Sequence, residues 1–236
     1  MADEASKRAA GRMAADMVED GAAIGLGTGS TVRFAIERLA ERVADGLSFV
    51  GIPTSHQTAM RARRLGIPLA SLNDAPRLAL TIDGADQVDP ALRLIKGRGA
   101  ALTREKIVAA ASDRLVIVVD EPKLVGCLSS PVPVEVLPYA CAFVERRLAA
   151  LGGTGTVREG ARKDGPVVTD SGGFVLDWSF GPIADPSGLE SAVEAIPGVV
   201  ASGLFAGFSE KMVVIVGNGS GCRVVRPGST PPRSAW

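Results

Sequence analysis

The sequence contains very few of the residues that bind transition metals or form disulfides. It has one histidine, His56, and three widely separated cysteines, Cys127, Cys141 and Cys222, none in a Cys-x-x-Cys pair. A structural zinc site of the usual Cys/His kind needs about four such ligands, and a disulfide framework needs an even set of cysteines. We therefore expect no metal site of this kind and no disulfides, as in a reducing compartment.

Net charge and long apolar runs are also absent. Lys+Arg and Asp+Glu number 26 each among 236 residues, so no overall field favours nucleic acid or an acidic membrane surface. No apolar run has the length of a transmembrane helix. The polar N-terminus, residues 1–12, lacks the apolar stretch of a signal peptide. We expect a cytoplasmic protein that binds neither nucleic acid nor membranes.

The first half of the chain alternates between strand and helix patterns, and its apolar share of 46% suits a sizeable core. This alternation predicts an α/β domain with a mainly parallel sheet and helices on both faces. The predicted helices cover residues 3–19, a segment from about 30 to 43, 55–65 and 101–112. The predicted strands cover 22–26, 47–52, 78–82, 92–95 and 115–119.

After Lys123 the pattern changes, because prolines and a glycine-rich stretch interrupt it. Helices are predicted at 143–151 and 189–196, a hairpin at 167–177, and strands at 212–216 and 222–225 that return to the first sheet. We predict an α/β domain of residues 1–131 and 208–228, a small α+β domain of residues 132–207, and a disordered tail, 229–236.

A glycine-rich turn, Gly25-Leu26-Gly27-Thr28-Gly29-Ser30-Thr31, lies between the first strand and the second helix. The amide groups and dipole of a helix N-terminus attract anions, so a phosphate is the expected guest, with hydroxyl groups as further donors. The turn lacks the third glycine of the dinucleotide fingerprint and the lysine of the Walker loop. The alternative is a tight turn in which Ser30 caps the helix.

Two carboxylates follow the strand at 78–82, in the segment Asp83-Gly84-Ala85-Asp86. Ligands of open parallel sheets bind beyond the carboxyl ends of the strands, so these groups are candidates for acid–base work or for binding sugar hydroxyls. Together with Asp89 they also fit a hard cation, or they cap a turn. The sequence leaves these alternatives open.

Two lysines also follow predicted strands. Lys96, in Lys96-Gly97-Arg98-Gly99, and Lys123 are placed where a fixed positive charge could stabilise an oxyanion. The alternative for each is a solvated loop lysine. His56, near the start of a helix, is interpreted as structural.

Glu105 is the most informative single residue. Its neighbours three and four positions away on the predicted helix, Ala101, Leu102, Val108 and Ala109, are all apolar. A carboxylate on such a face is desolvated, which raises its pKa and makes it a better base near neutral pH. The alternative is a glutamate at the helix end that reaches solvent.

Together these segments resemble the A type of ribose-5-phosphate isomerase, over residues of about 3 to 225. The matching segments are GLGTGST (25–31), DGAD (83–86), KGRG (96–99), AALTREKI (100–107), PVEV (133–136), AIPGVV (195–200) and GLF (203–205). The resemblance implies a Rossmann-like sheet plus a smaller α+β domain of the ferredoxin-like type. It also implies a homodimer or homotetramer.

The resemblance further implies an isomerase that converts ribose 5-phosphate to ribulose 5-phosphate in the pentose phosphate pathway, without metal or other cofactor. Glu105 would move the C2 proton through a cis-enediolate, Asp83 would assist ring opening, and Lys96 would face the enediolate oxygens. Lys7 matches a basic position of the family. The implied substrate contacts are Thr28, Gly29, Ser30, Thr31, Asp83, Gly84, Ala85, Asp86, Lys96, Gly97, Arg98, Gly99 and Lys123.

One residue departs from the family pattern, since Arg98 stands where the family has glycine. It requires loop angles that a side chain tolerates. Two other functions compete with the isomerase: a non-catalytic phosphosugar sensor, and an acyl-CoA transferase-like enzyme with a nucleophilic glutamate. A sensor in a transcription regulator would need a DNA-binding element, for which the chain has neither a spare segment nor a basic excess.

Overall fold

A computed structural model describes residues 4–219 and 221–228. The predicted disordered tail, 229–236, lies outside the described residues. The α-helices are α1 (Glu4–Asp16), α2 (Val32–Ala44), α3 (His56–Arg64), α4 (Leu102–Ala110), α5 (Cys141–Ala150) and α6 (Pro186–Glu194). The strands are β1 (Ala22–Leu26), β2 (Phe49–Pro53), β3 (Leu80–Asp83), β4 (Gln87–Val88), β5 (Leu94–Ile95), β6 (Leu115–Asp120), β7 (Val132–Val136), β8 (Thr154–Val157), β9 (Phe174–Ser179), β10 (Val199–Ser202), β11 (Leu204–Phe205), β12 (Met212–Asn218) and β13 (Gly221–Val225).

The main sheet has six strands in the order β13-β12-β6-β3-β1-β2. Every neighbouring pair from β12 to β2 is parallel, and only the edge strand β13 runs antiparallel to its neighbour. The mainly parallel sheet is therefore confirmed, as is the return of the last two strands to it. Parallel strands end at one edge of the sheet, so the turns after β1, β3 and β6 lie together.

Strand β6 shows why helices cover both faces of this sheet. Its side chains alternate between two cores, as the period of two for a strand requires. Val116 and Val118 pack in a core with residues of α1 and α2, whereas Ile117 and Val119 share a core with Ala109 of α4. A strand buried on both faces is uniformly apolar, which explains the run Leu115–Val119.

Residues 132–202 form a second unit with the order strand, helix, strand, strand, helix, strand, which we call the βαββαβ unit. Its antiparallel sheet has the order β10-β7-β9-β8, and α5 and α6 pack on a core of its own. This is the arrangement of a ferredoxin-like fold. The predicted domain limits, 1–131 with 208–228 and 132–207, stay a prediction.

The predicted hairpin at 167–177 is only partly right. The turn exists, since the amide of Thr169 donates to the carbonyl of Gly173 at 2.9 Å. Its first arm, however, makes a single bridge, between Val168 and Phe174, and β9 pairs instead with β7 and β8. Local turn chemistry predicted the bend, but the partners of β9 lie far away in sequence.

A three-stranded sheet, β11-β5-β4, links the two units. Its strands are two residues long, below the length at which alternation of apolar residues is visible in a sequence. The three cysteines are free, as expected. Within the described residues, no helix is both long enough and apolar enough to cross a membrane.

Candidate active site

A cavity of about 560 Å³ opens at the carboxyl ends of β1, β3 and β6. The predicted site residues converge here from six separate segments of the chain. Lining residues predicted from the sequence are Lys7, Thr28, Gly29, Ser30, Thr31, Gly84, Ala85, Asp86, Lys96, Gly97, Arg98, Gly99, Glu105 and Lys123.

The turn after β1 is held against the end of β3. The Thr28 amide donates to Oδ1 of Asp83 at 3.2 Å. A Cβ on Gly27 would lie 2.2 Å from that same oxygen, so only glycine allows this approach. The Thr28 hydroxyl donates to Ser55 at 2.7 Å and lies 2.9 Å from the Thr54 hydroxyl. That hydroxyl is therefore already engaged within the protein, contrary to its expected role as a donor to an anion.

The N-terminus of α2 forms one end of the cavity. Thr31, not Ser30, occupies the N-cap position of the helix, and its side chain makes no capping hydrogen bond. The ammonium of Lys7, from α1, lies 3.2 Å from Oγ of Ser30. A helix N-terminus, two hydroxyls and a lysine together form an environment suited to a phosphate.

Lys96 is the central cation of the cavity. Its Nζ lies 3.0 Å from Oδ2 of Asp83, 3.1 Å from Oε2 of Glu105 and 2.5 Å from the carbonyl of Gly84. The residue is only 3% exposed, which excludes the solvated loop lysine. Burial lowers the pKa of Lys96, but the charges of Asp83 and Glu105 outweigh burial and hold it above its usual value. The side chain is a permanent positive charge.

Glu105 is 4% exposed, and its four predicted same-face neighbours are all buried. Its Oε2 forms an ion pair with Lys96 but accepts no hydrogen bond among the described residues. Burial, and next the negative charge of Asp83, raise the pKa of Glu105 to about 8, although Lys96 offsets part of the shift. The expected desolvation is confirmed, and the alternative of a solvated glutamate is wrong.

Asp83 lies behind the cavity wall rather than on it. Its carboxylate is 2% exposed, with Oδ1 accepting from the amides of Thr28 and Gly84 and Oδ2 paired with Lys96. Asp83 is therefore connected to the site by its ion pair with Lys96. Its implied role in opening the sugar ring stays a prediction.

The loop Lys96–Gly99 accommodates Arg98 without strain. The left-handed angles fall on Gly97 (φ 105°) and Ala100 (φ 56°), and Arg98 is not among the positive-φ residues. The Arg98 side chain is exposed, while its amide donates to Oδ2 of Asp86 at 3.0 Å. Replacing the family's glycine by Arg98 is therefore compatible with the loop geometry.

The three aspartates at 83, 86 and 89 do not form a shared cation site. Asp89 caps a turn, because it accepts from the amides of Ala91 and Arg93 and pairs with the Arg93 guanidinium at 2.6 Å. Within residues 4–219 and 221–228, no cluster of three or more His, Cys, Asp and Glu residues fits a metal ion. The sequence left three roles open for these aspartates, and Asp89 has the role of capping a turn.

Several cavity residues were not predicted. Gln57 and Asp120 line the cavity, and a cluster of Thr54, Ser55 and Thr58 surrounds the Thr28 hydroxyl. Their positions in the sequence could have predicted them, because residues 54–57 follow β2 and Asp120 ends β6. Both places lie at the carboxyl ends of parallel strands, as Asp83 does. His56 is exposed and is not among the lining residues.

Comparison with known proteins agrees with this geometry. Residues 50–221 match the family model of ribose 5-phosphate isomerase A (phosphoriboisomerase A). Ribose-5-phosphate isomerase A of Methanoregula boonei is 56% identical over 228 residues, 97% of this chain and 96% of that protein. The counterpart from Thermosynechococcus vestitus is 51% identical, over 92% of this chain and 94% of its own.

Solved structures extend the similarity to three dimensions. Ribose 5-phosphate isomerase A from Methanocaldococcus jannaschii superposes with a TM-score of 0.89 at 41% identity, covering 94% of this chain and 98% of that one. A D-ribose-5-phosphate isomerase in complex with phospho-erythronic acid superposes with a TM-score of 0.92 at 42% identity, covering 96% of this chain and 100% of that one. The chain therefore belongs to the ribose-5-phosphate isomerase A family.

Proposed function

We propose that this chain interconverts D-ribose 5-phosphate and D-ribulose 5-phosphate, with Glu105 as the base that moves the proton. The observation that carries the proposal is the buried ion pair of Glu105 with Lys96 in a cavity whose other end is the N-terminus of α2. A proton acceptor beside a fixed cation can remove a proton from a carbon acid, and the N-terminus of a helix binds a phosphate. The complex with phospho-erythronic acid, a phosphorylated sugar acid, supports a ligand of this class.

The isomerisation moves one proton between adjacent carbons. Carboxylate Glu105 takes the proton from C2 of the open-chain aldose, which leaves a cis-enediolate, and then delivers a proton to C1. The positive charge of Lys96 stabilises the negative charge that develops on the oxygens of the enediolate. No electrons leave the substrate, so the step itself requires no redox cofactor.

In this proposal the first role of Asp83 is to position Lys96. Its Oδ2 lies 3.0 Å from the Lys96 ammonium, and two backbone amides hold its other oxygen in place. It therefore fixes the position of the cation that faces the enediolate. The implied proton exchange with the ring oxygen requires the substrate to approach this buried carboxylate.

Turnover of ribose 5-phosphate separates this proposal from its competitors. Purified protein should form ketose from ribose 5-phosphate, whereas a phosphosugar sensor would bind the sugar and leave it unchanged. An acyl-CoA transferase would instead move CoA from an acyl-CoA to the Glu105 carboxylate, forming a glutamyl-CoA thioester and releasing the acyl group as a free carboxylate, and the thioester is detectable by mass spectrometry. Binding of ribose 5-phosphate without turnover would overturn the proposal.

The raised pKa of Glu105 predicts the pH dependence of turnover. The base must be ionised, so kcat/KM should rise with pH along a limb centred near 8 rather than near 4.5. This limb lies above the second pKa of a phosphate ester, about 6. A pH profile of kcat/KM measures it, and a limb centred below pH 6 would contradict the assignment.

The same shift affects stability with a defined sign. Folded Glu105 binds its proton more tightly than the unfolded chain does. Its contribution to the free energy of unfolding is therefore fully present below about pH 4.5 and is lost as the pH rises through about 8. Glu105→Gln should remove this part of the pH dependence, which denaturant titrations at pH 5 and pH 9 would show.

The helix end predicts a change in KM. Ser30→Ala combined with Thr31→Val should raise KM at least about tenfold, since each hydrogen bond to a charged group contributes about 1.5 to 3 kcal/mol. The value of kcat should fall less, because the phosphate is bound in both ground and transition states. Ser187→Ala, at an exposed serine in the first turn of α6, is the matched control. An unchanged KM would remove the two residues from the phosphate site.

We also propose that the protein is a cytoplasmic homodimer or homotetramer. Three apolar side chains close together in sequence, Leu137, Tyr139 and Phe143, are exposed on the βαββαβ unit, and an exposed apolar patch favours association. Light scattering would give the mass of wild type and of a variant with Tyr139→Glu and Phe143→Glu. A monomeric wild type would contradict the proposal.

A further inference from the structure

Helix α4 carries Glu105 toward the cavity, while the residues on either side of it bond to the βαββαβ unit. The Thr103 hydroxyl donates to the buried carboxylate of Glu135, at 2.5 Å. The Arg104 guanidinium donates to the carbonyl of Asp170 at 2.6 Å. The next residue, Lys106, makes the most extensive set of such contacts. The orientation of the base is therefore fixed by a unit that supplies none of the reacting groups.

The Lys106 ammonium is the centre of a polar cluster outside the cavity. It bonds to Glu190 at 2.5 Å and to Glu194, both on α6, and donates to the carbonyl of Leu204 at 2.7 Å. The Lys106 side chain is 15% exposed. Burial acts to raise the pKa of Glu194, but the hydrogen bond and charge of Lys106 outweigh it and lower the pKa. The cluster is thus an ionised, partly buried network.

The segment Gly203–Phe205 connects this cluster to Lys96. The carbonyl of Gly203 accepts from the Lys96 amide at 2.8 Å, and the carbonyl of the next residue accepts from Lys106. The buried Phe205 ring lies close to both lysines, with its centroid 5.4 Å from the Lys96 ammonium and 4.9 Å from that of Lys106. Both ammonium groups are within the range of a cation–π interaction.

We propose that Lys106 is a positioning residue for the isomerisation, which holds the helix of the base Glu105 in register with the cation Lys96. The inference rests on the proposed function. Its physical basis is that Lys106 contacts the same three-residue segment as Lys96 and lies next to Glu105 in sequence. Releasing Lys106 frees α4 to shift, and a displacement of about 1 Å at a reacting group lowers turnover by up to about a hundredfold.

Kinetics of Lys106→Met test the proposal. We expect kcat to fall roughly tenfold to a hundredfold, with KM close to that of wild type because the phosphate end of the cavity is untouched. The limb of the kcat/KM profile should also move to higher pH, since Lys96, which lowers the pKa of Glu105, is no longer held close to it. Lys106→Arg keeps the charge and should recover part of kcat.

The matched control is Arg38→Met, which also removes a cation paired with two acidic side chains, Asp16 and Glu41. It should leave kcat and the pH profile unchanged. A folded Lys106→Met protein with wild-type kcat and pH profile, or with a raised KM alone, would overturn the proposal. If Lys106→Met does not fold, Glu194→Gln carries the same test with the same readings. A wild type that does not isomerise ribose 5-phosphate would refute the proposed function instead.

Discussion

Replacing Glu105 by glutamine is expected to lower kcat by at least about a thousandfold while the protein stays folded. Glutamine cannot accept the C2 proton, and a positioned general base contributes on the order of 10² to 10⁴ in rate. The fold should persist because Lys96 keeps its second partner, Asp83, at 3.0 Å. KM should change little, since the N-terminus of α2 is unaltered. Steady-state kinetics and thermal unfolding measure these quantities.

Glu37→Gln is the matched control for this substitution. Glu37 on α2 is half-buried and pairs with Arg61, away from the cavity, so the same chemical change should leave kcat unaltered. A Glu105→Gln protein that retained a tenth of the wild-type rate would contradict the assignment of the base. Asp83 and Asp86 would then be the next candidates.

Replacing Lys96 by methionine should impair both turnover and stability. Removing one stabilising group from an oxyanion site lowers kcat by about 10² to 10³. Breaking a buried ion pair on one side destabilises a protein by about 3 to 5 kcal/mol, and here Asp83 and Glu105 would remain buried without their cation. The pKa of Glu105 would rise further above about 8, so the stability loss relative to wild type should increase as pH rises above about 8.

A double variant identifies the cause of the lost stability. Adding Glu105→Gln to Lys96→Met removes one of the two unpaired carboxylates, so it should restore part of the free energy of unfolding without restoring turnover. Lys163→Met, at an exposed lysine that bonds only to a backbone carbonyl in the described residues, is the control. If Lys96→Met kept most of its activity, the enediolate would require another source of positive charge.

The main sheet was predictable because its signals are local. Strand β6 is buried on both faces, so its sequence is a continuous apolar run. The end of β3 carries Asp83, and the rule that ligands bind at the carboxyl ends of parallel strands led directly to the site. Burial of Glu105 followed from four apolar neighbours at helical spacing. Each of these predictions needs only a few consecutive residues.

Features that depend on distant contacts were not predictable from local patterns. Lys106 bonds to residues of α6 more than eighty positions away, and nothing near it in sequence indicates that partner. The Thr28 hydroxyl was predicted to donate to an anion, but in the structure it donates to Ser55. This partner was not foreseen because only the parallel pairing of β1 with β2 brings Ser55 close to Thr28. Short strands such as β4 and β11 depend on their neighbours for stability and carry no pattern of their own.

Proton exchange at C2 tests the central claim most directly. Ribose 5-phosphate is incubated in D₂O with wild type or with Glu105→Gln, and deuterium at C2 is followed by NMR. Wild type should form ribulose 5-phosphate and introduce deuterium at C2 of the remaining aldose, whereas Glu105→Gln should do neither at a measurable rate. Exchange at C2 by Glu105→Gln at the wild-type rate would show that another group moves the proton.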